Sequence, residues 1–133
     1  MKAMLDTNIC IYIIKRRPPE VLQRFLEYEV GELGLSSVTV SELFYGAYKS
    51  LHVEKNLRTL ERFFLPFDIV EYGYKAAMEY GRIRAELERR GRVIGGLDMQ
   101  VAAHARSLGV PLVTNNAKEF ERIEGLEVQN WVS

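Results

Sequence analysis

Short apolar runs alternate along the chain with longer segments in which apolar residues recur every three or four positions. Runs of the first kind suit strands, and segments of the second kind suit amphipathic helices packed over them. The alternation predicts one α/β domain spanning 1–133, with a mostly parallel central sheet. Strands are expected over Lys2 to Leu5, Leu33 to Ser36, Phe67 to Val70, Val110 to Val113 and Glu127 to Gln129. The first helix should run from Thr7 to Lys15 and stop before Pro18 and Pro19, which cannot continue it. Glu20 to Glu29 carries Val21, Leu22, Phe25 and Leu26 at helical spacing and predicts a second. Further helices are expected from Ser37 or Thr39, either of which can cap, through Lys49, then over 53–64 and from Tyr74 to Arg90. Leu97 to Leu108 is bracketed by Gly95-Gly96 and Gly109, and a short helix over 117–122 follows.

Several polar residues interrupt this pattern at the ends of its elements. Asp6 follows the apolar run Ala3-Met4-Leu5. It reads either as the cap of the helix behind it or as a ligand-site residue, because sites in parallel sheets gather outside the carboxyl ends of strands. Glu42 lies two positions from Val40, roughly 200° around the helix, and so points away from the stripe Val40, Leu43, Phe44 and Ala47. A solvated glutamate accounts for it equally well. Asp98 falls on the face of Val101, Ala102, Ala105 and Leu108, where a carboxylate needs either free N–H groups of a first turn or a cation. Asn116 and Glu119 have the spacing of a capping box, at the same sheet edge as Asp6. Thr7, Asn8 and Thr114 are placed to orient such groups by hydrogen bonding.

Composition narrows the chemistry. Of 133 residues, 47% are hydrophobic and 27% charged, which suits one soluble globular domain. Lys plus Arg and Asp plus Glu are 18 each, so bulk charge does not hold this protein on nucleic acid. Local basic stretches remain: Lys15-Arg16-Arg17, and Arg82, Arg84, Arg89, Arg90 and Arg92. Cys10 is the only cysteine, so no internal disulfide forms, in keeping with a reducing, cytoplasmic setting. No stretch approaches the ~20 apolar residues of a membrane span, and Asp6 breaks what would otherwise begin a signal peptide. Two histidines and one cysteine make no credible zinc set, and no phosphate-binding glycine loop is present. Carboxylates, as hard oxygen donors, select Mg²⁺ or Mn²⁺ and suit phosphodiester hydrolysis.

In Leu5-Asp6-Thr7-Asn8, Ser36-Ser37-Val38-Thr39-Val40-Ser41-Glu42-Leu43 with Tyr45-Gly46, Ile94-Gly95 through Asp98 with Ala102-Ala103, and Val113-Thr114-Asn115-Asn116 before Glu119-Phe120, the chain resembles PIN-domain ribonucleases of the VapC toxin type. The motifs follow in order over nearly the whole chain. The resemblance implies an α/β/α sandwich, often dimeric, that cleaves RNA with Mg²⁺ or Mn²⁺. It implies that Asp6 and Asp98 bind the metal, that Glu42 coordinates it or activates water, and that Thr114 supports the cluster. Many relatives carry an aspartate where this chain has Asn116, which leaves Glu119 as the candidate fourth carboxylate. The implied substrates are tRNA or rRNA loops, with the Arg82 to Arg92 group holding phosphates, and the implied partner is a VapB-type antitoxin. Two other readings are a PIN nuclease of RNA maturation and a protein-binding module that has lost catalysis.

Overall fold

A computed structural model describes residues 1–132, which form five strands and seven helices. The strands are β1 (Ala3–Leu5), β2 (Leu33–Ser36), β3 (Asp68–Val70), β4 (Leu112–Val113) and β5 (Val128–Gln129). They make one sheet in the order β3-β2-β1-β4-β5, and every pairing is parallel. Intervening helices are α1 (Thr7–Lys15), α2 (Pro19–Phe25), α3 (Ser37–Tyr48), α4 (Val53–Phe64), α5 (Tyr74–Arg89), α6 (Gly96–Leu108) and α7 (Ala117–Phe120). Among the described residues no helix is long and apolar enough to cross a membrane.

Side-chain alternation along the strands builds two cores. Ala3, Leu5, Leu33, Leu35 and Val113 pack with Ile9, Leu43 and Leu60 on one face, while Met4 and Leu112 meet Ile83, Leu87, Ala102 and Phe120 on the other. The same parity carries past the strand ends. One residue beyond Leu5, Leu35 and Val113, the chain places Asp6, Ser36 and Thr114 on the second face, the one covered by α5 and α6.

Element boundaries depart from expectation where backbone chemistry intervenes. Strand β4 begins at Leu112 rather than Val110, because Gly109 closes α6 at φ 67° and Pro111 offers no N–H. The α2 helix ends at Phe25, and Leu26, 69% exposed, leaves the apolar stripe. Helix α3 is capped by neither Ser37 nor Thr39. Ser36 Oγ accepts Val38 N–H at 3.1 Å, and Ser37 Oγ instead accepts Tyr72 N–H at 3.0 Å. The Thr39 hydroxyl is buried with no hydrogen-bond partner among the described residues. Thr39→Val keeps the side-chain shape and removes that unpaired group, so urea unfolding is expected to show a gain of about 1 kcal/mol. A lowered midpoint would contradict this account.

Candidate metal centre

Strand order reverses between β1 and β4, the topological switch point at which open parallel sheets leave a crevice beyond their strand ends. Asp6 stands at that crevice. Its backbone N–H donates to Val113 O at 3.0 Å, and its carboxylate caps α1 by accepting Ile9 N–H at 2.9 Å. Asp6 therefore caps a helix and occupies the switch point at once. It is only 7% exposed. Burial drives its pKa up from 3.8 to about 6, against the hydrogen bonds from Thr114 and the Ile9 N–H, and the charges of Asp98 and Glu42 raise it further.

The other carboxylates approach from separate elements. Glu42, half-buried on α3, accepts the Thr7 hydroxyl at 2.8 Å, so Thr7 joins the start of α1 to the face of α3. Asp98 does not lie buried in the apolar stripe of α6. It is exposed in the first turn, while Met99 beside it and Val101, Ala102 and Ala105 further along are buried. Its pKa is raised by partial burial and by the charges of Glu119 and Glu42. Asn116 and Glu119 form no capping box. The Asn116 amide donates to the Glu119 carboxylate rather than the two side chains bonding backbone N–H groups, and Thr114 Oγ1 accepts Asn116 N–H at 3.0 Å. Asn8 is exposed at the start of α1.

Asp6, Glu42, Asp98 and Glu119 thus lie close enough to raise one another's proton affinity or that of a neighbour, and none forms an ion pair with Lys, Arg or His among the described residues. Gathered anions without a countercharge, one of them buried, suit a hard divalent cation. Among the described residues no three His, Cys, Asp or Glu side chains are drawn tightly enough together to hold an ion as they stand. Glu42 is turned to Thr7 and Glu119 to Asn116, each stabilised by a neighbouring donor.

Most of the arginine group is engaged elsewhere. Arg82 pairs with Glu79, Arg84 with Glu88 and the Tyr80 hydroxyl, and Arg89 with Glu86, while Arg90 donates to Arg122 O at 3.0 Å. Arg92 makes no ion pair among the described residues. A cavity of about 500 Å³ lies amid these pairs, lined by Arg82, Glu86, Arg90 and Arg106, and contains none of the sheet-edge carboxylates. A groove of about 440 Å³ between α3 and α6 reaches one of them, Glu42, and is lined further by Val38, Ser41, Tyr45, Leu97 and Gln100.

Two contacts join residues too far apart in the chain for its pattern to suggest them. Asn115 Nδ2 donates to the Tyr12 hydroxyl at 2.9 Å, and buried His104 meets Ser36 Oγ at 2.7 Å. A histidine amid Val101-Ala102-Ala103 and Ala105, all apolar, is the available signal for the second.

A five-stranded, all-parallel α/β/α sandwich with carboxylates collected at its switch point defines the class, a PIN-type domain. The PIN domain family model matches residues 3–126. Ribonuclease VapC2 of Haemophilus influenzae is 50% identical over 132 residues, covering 99% of each chain. The tRNA(fMet)-specific endonuclease VapC of Shigella flexneri is 49% identical over 131 residues, covering 98% of each. The DNA-bound VapBC structure from Salmonella typhimurium superposes with a TM-score of 0.93 at 44% identity, covering 99% of both chains. The chain belongs to the PIN-domain family, in its VapC group.

Proposed function

We propose that this protein is the endoribonuclease toxin of a toxin-antitoxin pair, cutting structured RNA with Mg²⁺ or Mn²⁺. The observation that carries the reading is the unpaired carboxylate set at the switch point, with Asp6 held at a pKa of about 6. Such a cluster repels phosphodiesters unless a cation neutralises it. Asp6 and Asp98 are the residues that would hold the ion, with Glu42 and Glu119 beside them. When bound, a divalent cation stabilises the charge of in-line displacement at phosphorus and lowers the pKa of attacking water. Glu42 Oε1 accepts from Thr7, which orients the carboxylate and leaves Oε2 to take a proton from that water. Thr114 fixes Asp6 through its hydroxyl.

Substrate and partner follow from the same reading. The groove past Glu42 carries Tyr45, 64% exposed and able to stack an unpaired base of a loop. Arg92 precedes the Asp98 turn and is the best phosphate contact of its group. Arg82, Arg84 and Arg89 must first exchange exposed ion pairs, which are individually weak, and Arg90 its bond to Arg122 O. Relatives 49% and 44% identical are named tRNA(fMet)-specific endonucleases, which makes the initiator tRNA the first substrate to try. Solved VapBC complexes support a VapB-type antitoxin as partner. A groove of about 280 Å³ lined by Ile11, Ile14, Leu43, Ala47 and Leu60 offers it an apolar seat next to Glu42.

The test is cleavage of initiator tRNA, elongator tRNAs and rRNA by purified protein, with EDTA, Mg²⁺ or Mn²⁺. Discrete fragments requiring the cation are expected. Glu119→Gln is expected to lower the rate about tenfold, since its charge is felt by Asp98 and belongs to the set that would hold the cation. Metal-independent cleavage would overturn the metal requirement, and no cleavage of any RNA would argue for the binding-module reading instead.

A further inference from the structure

His104 is 2% exposed on the face of α6 that covers the sheet, and its ring has one hydrogen-bond partner among the described residues. That partner, Ser36 Oγ, lies 68 residues away at 2.7 Å. Ser36 is fully buried, ends β2 and caps α3 by accepting Val38 N–H at 3.1 Å. Its hydroxyl proton has no other acceptor among the described residues, so it is donated to His104 Nδ1 and the imidazole carries its remaining proton on Nε2. Tyr72 closes over the ring edge-on, with centroids 5.7 Å apart at 86°, and its own N–H is tied to Ser37. Burial lowers the His104 pKa, which keeps the ring neutral and able to accept.

The position of this bond gives it a consequence. Register and parity set Ser36 beside Asp6, as Thr114 is set on its other side, all on the sheet face that α6 covers. Helix α3 leaves Ser36 carrying Glu42, and α6 carries Asp98 six residues before His104. Among the described residues this is the one side-chain hydrogen bond that ties α6 to the β2–α3 corner. Apolar contacts between the helices resist separation but not sliding, whereas a buried directional bond fixes register.

We propose that His104 is a positioning residue that, through Ser36, sets the distance and angle between Glu42 on α3 and Asp98 on α6. The inference rests on the proposed metal-dependent nuclease function. The carboxylates repel one another, so a loosened α3–α6 joint lets them drift apart, and a cation must then draw them together at the expense of affinity.

The experiment is Mn²⁺ titration by calorimetry, with RNA absent, of the wild type, Asp6→Asn, His104→Asn and His104→Phe, each checked for folding by circular dichroism and thermal unfolding. Asparagine places an amide atom where Nδ1 stands and keeps the bond to Ser36. Phenylalanine keeps the ring and loses the bond. His104→Phe is expected to bind Mn²⁺ about tenfold more weakly, and His104→Asn to stay within about threefold of wild type. Ser36→Ala breaks the same bond from the other side and should match His104→Phe, which keeps the test open if the Phe variant does not fold. Folded His104→Phe with wild-type affinity, or His104→Asn as weak as His104→Phe, would overturn the positioning role while leaving the nuclease reading intact. Wild type without Mn²⁺ binding would overturn both.

Discussion

Asp6→Asn is expected to abolish cleavage and, in the same protein, to make the metal-free fold more stable at neutral pH. The two effects share one cause. A carboxyl with a folded pKa of about 6 and an ordinary value of 3.8 binds its proton more tightly folded than unfolded. Between about pH 4 and 6 the folded protein therefore holds a proton that the unfolded chain has released, and stability falls as pH rises through that window. Above pH 6 the full cost remains, on the order of 2–3 kcal/mol. Asparagine still caps α1 through its amide oxygen, because Asn and Asp are equivalent N-caps, but it carries no charge to desolvate. Urea unfolding in EDTA should show a gap between variant and wild type that is near zero at pH 4 and grows to about 2–3 kcal/mol by pH 7.5. A gap that does not change with pH would sink the explanation. Activity should fall by a hundredfold or more, on the order expected when a preorganised charge is removed from a reacting centre.

Asp98→Asn should separate function from stability differently. Its side chain is exposed in the first turn of α6, so the intrinsic fold should change little: about 0.3–1 kcal/mol of favourable interaction with the helix N-terminus is lost. Relief of the repulsion from Glu119 and Glu42 offsets part of that loss. What should disappear is the response to metal. Mn²⁺ at a hundred times its Kd is expected to add about 2.7 kcal/mol to the wild type by mass action, and close to nothing to Asp98→Asn, alongside loss of cleavage. Thermal unfolding with and without Mn²⁺ reads this directly. Equal stabilisation of both proteins would remove Asp98 from the ion's binding set.

Much of the architecture is legible in local pattern. The Leu33 to Ser36 run and the helices over Thr7 to Lys15 and 53–64 are delimited to the residue, because proline, strand alternation and helical period all act within a few positions. Features whose neighbours come from elsewhere are not legible in that way. Counting along α6 places Asp98 on the face of Val101, Ala102 and Ala105, but whether its carboxylate is covered depends on which distant segments pack against that turn. The arginines between 82 and 92 look like free cations in the chain, but glutamates one turn away pair with three of them. Local pattern gives His104 no role, because Ser36, its partner, is distant in the chain.

The amino-acid sequence by itself determined the elements, their polarity and the identity of the carboxylates. Helical and strand periodicities are local, and hydrophobic burial enforces them wherever the segment packs. Only the tertiary structure decided that β1 lies between β2 and β4, which sets Asp6 between Ser36 and Thr114 and brings Glu42 and Asp98 to it from two helices. Charge interactions and desolvation depend on distances between segments far apart in the chain. For that reason the raised pKa of Asp6, and with it the strongest argument for a cation here, belongs to the fold.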